Sequence, residues 1–200
     1  MATFAQNRIQ MNSNKVLSLF ALFGVVMIIA FTRLIPHPPN LTALGGIAIL
    51  GGAMYKNGFK ALLIPLAALF VSDLVLNNTI YSGYFEGFTL FTEGAIFIYS
   101  GFVGMALVGR FLLQKWSIGN ALSSAVLGSA IFYLMTNFGA WYGNPLYTQD
   151  LSGLMTAYAA GAPFFPNTLL GTTVSLLLLN AGFKWVSNNK PEWLTEEVRA

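Results

Sequence analysis

The chain has 200 residues, of which 56% are hydrophobic and only 8% charged, with no cysteine and a mean hydropathy of +0.65. A water-soluble domain carries about 25% charged residues, so lipid is the solvent for most of this surface, and disorder, a coiled coil or a large extramembrane catalytic domain are excluded. The missing cysteines exclude disulfides, thiolate metal sites and cysteine nucleophiles, while the net charge of +3 comes from basic residues scattered singly, which argues for membrane topology and against a nucleic-acid partner.

A transmembrane helix needs about 20 mainly apolar residues, and six stretches approach that length. Residues 16–34 carry VLSLFALFGVVMIIAF without a charge and read as a span; their apolar run is too long for a signal core and no small-x-small cleavage site follows. Residues 41–55 are shorter and rich in Gly and Ala, and residues 61–76 contain Pro65 and Asp73. The remaining spans are expected at 94–113, 120–138 and 168–186. Between the last two lies an aromatic, Pro/Gly-rich stretch, 141–167, whose apolar run 154–163 is too short to cross and reads as a re-entrant or interfacial segment. Barrel strands alternate apolar and polar residues and these runs do not. The expectation is an all-α integral membrane protein of six transmembrane helices: a cytoplasmic segment at 1–14, a membrane domain at 15–187 and a cytoplasmic tail at 188–200.

Topology follows from the basic residues. Arg8, Lys15, Lys56, Lys60, Arg110, Lys115, Lys184, Lys190 and Arg199 fall in alternate connections or at the termini, and Arg33 alone falls on the other side, a nine-to-one split. The positive-inside rule then puts both termini in the cytoplasm of a cell bounded by this membrane. Glu86, Glu93 and Asp150 all lie on the outer side.

Chemistry has few places to sit. Arg33 leads into Ile35-Pro36-His37-Pro38-Pro39-Asn40, where three prolines in four positions enforce a stiff extended linker. Arg33 either snorkels to headgroups or belongs to a structured ligand surface. Asp73 lies within a span, where an ionisable group is costly and finds a partner; Arg33 is at comparable depth, so the two form a structural ion pair or contact a polar substrate. Glu93 is a favourable carboxylate near a helix start or a site residue. His37 is a lone histidine and cannot build an ordinary zinc site, so no metal is expected, and no G-x-x-x-x-G-K-[ST] loop is present to bind ATP. In the segment 136–147, Asn137, Trp141 and Tyr142 interleave rings with amides, which suits either an interfacial belt or a lid over a pocket; Asn167 sits in a Pro-rich turn on the same side.

The runs Arg33-Leu34-Ile35-Pro36-His37-Pro38-Pro39-Asn40-Leu41-Thr42, Ser72-Asp73, Thr136-Asn137-Phe138-Gly139-Ala140-Trp141 and Pro163-Phe164-Phe165-Pro166-Asn167-Thr168, with the small-residue stretch at 48–55, resemble a family of uncharacterised bacterial membrane proteins. That family is regarded as similar to the substrate-binding S components of energy-coupling factor (ECF) vitamin transporters. The resemblance covers about residues 15–187. It implies a ligand pocket near the outer face, capped by the first, third and fifth loops, and separate partners, an ECF coupling protein and ATPase subunits, that supply the energy. S components often carry an alanine-x-x-x-alanine face in the first span; here Ala21 is followed by Val25.

The function expected is therefore uptake of a small vitamin-like molecule across the bacterial inner membrane by a protein that is no enzyme and needs no cofactor. A solitary ion-coupled carrier or channel is the alternative, motivated by Asp73, and a membrane scaffold is a third. The expected site is Arg33, His37, Asn40, Asp73, Glu93, Asn137, Trp141, Tyr142 and Asn167.

Overall fold

The computed structural model describes residues 24, 31–55 and 57–191. The expectations for the segment 1–14, for most of the span 16–34, for Lys56 and for the tail beyond 191 lie outside the described residues.

The described elements are helical: α1 Leu44–Met54, α2 Gly58–Asn78, α3 Ala95–Leu112, α4 Ile118–Trp141, α5 Leu151–Gly161 and α6 Phe165–Asn189, with short 3-10 turns at Thr32–Leu34, Ser82–Tyr84 and Ala162–Phe164. Among the described residues four helical runs are long and apolar enough to cross a membrane: α2, α3, α4 and the 39-residue run Leu151–Asn189. The chain is a multi-pass α-helical membrane protein. The segment expected at 154–163 falls in α5 and in the first two residues of the 3-10 turn Ala162–Phe164; α5 packs on α4 and passes through that turn into α6, and Tyr133 donates to the Tyr158 carbonyl at 2.5 Å while Tyr158 donates to that of Leu134 at 3.2 Å.

Local chemistry explains the helix ends. The Asn57 side chain accepts from the amides of Phe59 (2.9 Å) and Lys60 (3.4 Å), Ser117 accepts from Asn120 N–H (3.0 Å), and Asp150 accepts from Gly153 N–H (2.8 Å), so α2, α4 and α5 begin on side-chain caps. Pro65 inside α2 has no N–H for the Ala61 carbonyl, yet its ring is buried, with Gly51 of α1 beside it.

α1 differs from the others. At 11 residues it is roughly 16 Å long, about half the hydrocarbon thickness. It is apolar on every side and almost wholly buried, in contact with α2, α3, α4 and α6. A helix of that composition is stable only as a central element. Its glycines allow the contact: a Cβ at Gly52 would strike the Ala106 carbonyl of α3, and one at Gly109 of α3 would strike the carbonyl of Ile49.

The longer helices alternate in direction. Gly101 of α3 faces Phe132 of α4 while Gly139 of α4 faces Phe97 of α3, the register of an antiparallel pair. The end of α2, the start of α3, the end of α4 and the start of α6 therefore meet at one end of the bundle, together with Arg33. Lys60, Arg110, Lys115, Lys184 and Lys190 lie at the other end, where Arg110 donates to the Tyr55 carbonyl at 3.3 Å and the Lys184 ammonium sits 5.6 Å from the Trp116 ring centre.

Candidate functional site

The first of these ends encloses a cavity of about 330 Å³. Its walls are the apolar side chains of Leu44, Leu69, Ile98, Phe102, Met105 and Phe132. Its polar groups come from separate elements: Arg33 and Asn40 before α1, Glu93 before α3, Thr136 near the end of α4, and Thr168 and Thr172 at the start of α6. Apolar walls with a few converging polar groups are the usual make-up of a small-molecule site.

Arg33 Nη1 donates to Asp73 Oδ1 at 2.5 Å and to Ser72 Oγ at 2.8 Å, and both charged side chains are about one-fifth exposed. Ser72 is fully buried and its hydroxyl in turn donates a hydrogen bond to the Leu69 carbonyl at 2.9 Å. Asp73 does not line the cavity; it fixes the guanidinium that does. An arginine has five N–H donors; among the described residues these contacts engage only its Nη1 group, and Arg33 itself lines the cavity. The ion pair weighed from the sequence is formed, and its cation is presented to the cavity.

The Pro-rich linker is shaped to enter the bundle. Asn40 takes a left-handed backbone, φ 64°, which asparagine tolerates better than most residues, and the Leu41 amide closes a turn on the Pro38 carbonyl at 3.1 Å. Asn167 of α6 donates to the Pro39 carbonyl at 3.0 Å and ties the linker to the start of that helix. Asn167 therefore positions the lining without joining it.

The other expected site residues separate into two sets. Glu93 joins Arg33 and Asn40 in the lining. Asn137 lines a neighbouring cavity of about 190 Å³ that shares Asn40, Phe132, Thr136 and Thr168 with the first, and its amide donates to the Tyr133 carbonyl at 2.8 Å. His37, Trp141 and Tyr142 line neither cavity. His37 is partly buried, and its Nε2 has no hydrogen-bond partner among the described residues. The Trp141 indole N–H is used on the Thr148 carbonyl at 2.8 Å, and Tyr142 stacks on Phe138 with centroids 6.0 Å apart. Gln149 completes that loop, donating to the carbonyls of Trp141, Asn144 and Tyr147 while accepting from the Gly143 amide. These rings hold the 142–150 connection in shape beside the cavity, whose α4 edge is Gly139 and Ala140.

Thr136, Thr168 and Thr172 were not singled out by reasoning from the sequence. The signal was present in α6: hydroxyls four residues apart, at 168 and 172, share one face of the helix.

A model of a family of unknown function, DUF6580, matches residues 13–193, which include every described helix. The chain belongs to that family. Within this DUF6580 protein, 136 residues are 26% identical to NADH-ubiquinone oxidoreductase chain 2 of Mytilus edulis, covering 68% of the chain and 38% of that protein. The chain thus spans well under half of that relative's length. No solved structure matches the chain.

Proposed function

We propose that this DUF6580 protein is a substrate-binding membrane protein for uptake of a small vitamin-like molecule, working as the S component of an energy-coupling factor transporter. In this reading the chain spans the cytoplasmic membrane six times with both termini inside, the cavity opens toward the outer face, and a coupling protein with two ATPases supplies the energy. The observation that carries the reading is the cavity of about 330 Å³ between helix ends, with Arg33, Asn40 and Glu93 in an apolar lining. Its volume is in the range of small-molecule pockets.

Two further features support it. The runs that carry the S-component resemblance contribute Arg33, Asn40, Thr42, Thr136, Gly139, Ala140 and Thr168 to the lining, although they are far apart in the chain. The described basic residues other than Arg33 lie at the opposite end, which the positive-inside rule assigns to the cytoplasm.

The test is chemical. Mass spectrometry of small molecules extracted from the protein purified out of its native membrane should return one compound. That compound should be depleted from an Ala140→Trp variant, because Ala140 is an exposed lining residue and an indole there blocks the cavity without entering the core. Equal recovery from the variant, or no compound from the wild type, overturns the reading.

A further inference from the structure

The inner end of the cavity is formed by the start of α1. Gly45 packs against the side chain of Met105, which lies roughly 15 Å along α3 from that helix's first residue. The amino end of α1 is therefore deep in the bundle, beside Leu44 and Gly45 of the lining. Ala43 occupies the N-cap position and offers no side-chain acceptor, and α1 gains its first backbone bond only at Ile47 N–H to the Ala43 carbonyl, 3.1 Å. The amides of Leu44 and Gly45 are buried and have no acceptor among the described residues.

A second group points to the same place. Thr172 is 1% exposed, lines the cavity and touches Gly45 so closely that a Cβ there would collide with its hydroxyl. That hydroxyl has no hydrogen-bond partner among the described residues, whereas Thr168, one turn earlier, donates to the Phe164 carbonyl at 3.3 Å. Buried polar groups in proteins are almost always paired. Here two backbone donors and one hydroxyl donor are unpaired together, at a helix start whose dipole favours negative charge, in a cavity that also presents Arg33. A half-length helix aimed at a midplane site is a known way for membrane proteins to hold an anionic group.

We propose that this inner end is a carboxylate-binding subsite: the Leu44 and Gly45 amides and the Thr172 hydroxyl donate to the acid group of the ligand, and Arg33 supplies positive charge in the same cavity. Glu93 lies at the far end of the cavity along α3 and disfavours a second acid group there, so the substrate class is a monocarboxylate with an apolar body. This rests on the small-molecule reading above and narrows it to a chemical class.

The probe is radiolabelled benzoate, binding to the full chain in lipid nanodiscs, with benzamide and benzylamine as competitors of the same size. Benzoate should bind and neither competitor should displace it. Thr172→Val should weaken benzoate binding about tenfold or more, the loss of one hydrogen bond to a charged group, and Thr172→Ser should restore it. Displacement by benzamide or benzylamine, unchanged binding in Thr172→Val, or no benzoate binding to the wild type each overturns the carboxylate subsite. The uptake reading is judged separately by the co-purified compound, so a recovered molecule without an acid group would end this proposal and leave that one standing.

Discussion

At its carboxyl end α1 is clasped by α3, backbone against backbone, whereas at its amino end the same short helix borders a cavity. Gly52 meets the Ala106 carbonyl and Ile49 meets Gly109 in the first region; in the second, Leu44 and Gly45 line the cavity, with Gly45 against the Thr172 hydroxyl and the Met105 side chain and Gly46 against the α6 backbone at Leu176. A glycine inside a helix costs about 1 kcal/mol relative to alanine, so a glycine-rich helix is retained only where close approach offsets that cost. In the packed half the return is contact with a neighbouring helix. In the cavity half it is close approach to Thr172 and to the α6 backbone, which sets the first turn of α1 at the cavity wall.

The largest effect expected from this contrast is at the packed half. Gly52→Ala and Gly109→Ala each place a Cβ against backbone atoms of the partner helix, which cannot rotate away as a side chain would. Each should lower stability by about 3 kcal/mol, read as the temperature at which the detergent-solubilised protein loses monodispersity. Gly182→Ala is the control: its position in α6 is exposed with nothing near the added methyl, and stability should hold or rise slightly. Wild-type behaviour in Gly52→Ala would remove the distinction between the two halves.

The Arg33–Asp73 pair sharpens the cavity half. Replacing one member, as in Arg33→Met or Asp73→Leu, leaves a largely buried charge alone. A fully buried pair broken in this way costs 3–5 kcal/mol; with each side chain about one-fifth exposed, roughly 2 kcal/mol is expected here. The double variant removes both charges and should regain at least half of that stability. Retention of the co-purified compound should not return with it, because Arg33 lines the cavity and Asp73 only braces it. Recovery of both properties in the double variant would reduce the pair to a structural tie.

How far the sequence revealed this arrangement depends on the kind of signal. The helical class, the spans near 58–78, 95–112 and 118–141, and the gathering of basic residues at one end follow from apolar run length and charge placement, which the bilayer enforces. The Arg33–Asp73 contact was accessible because an intramembrane carboxylate demands a partner. The depth of α1 was not: an 11-residue buried helix and a tilted span have the same composition, and only packing against α3 and α6 distinguishes them. The Trp141 and Tyr142 rings read from the sequence as either an interfacial belt or a lid; in the structure the indole N–H and the Gln149 amide find carbonyls within their own loop. The threonines that do line the cavity are common in membrane helices, and a free hydroxyl is visible only once its neighbours are placed.

The smallest effect belongs to the loop that frames the cavity end, and it is a pH effect. Asp150 accepts from the Gly153 amide and from the Thr148 hydroxyl, each at 2.8 Å, and these bonds hold its carboxyl below the ordinary value of 3.8. A carboxylate with a depressed folded-state pKa stabilises the fold fully above its ordinary value and loses that contribution as pH falls through the folded one. The cap on α5 should therefore be intact down to about pH 4 and fade only below it. Amide-exchange protection in the first turn of α5, corrected for intrinsic rates, should hold from neutral pH down to about pH 4 and drop over the interval below it. Asp150→Asn keeps an acceptor at the cap and has no proton to take up, so its protection should be flat across that interval. An equal drop in the variant would mean that some other group opens the turn, while global stability should barely differ between the two proteins because Asp150 is fully exposed.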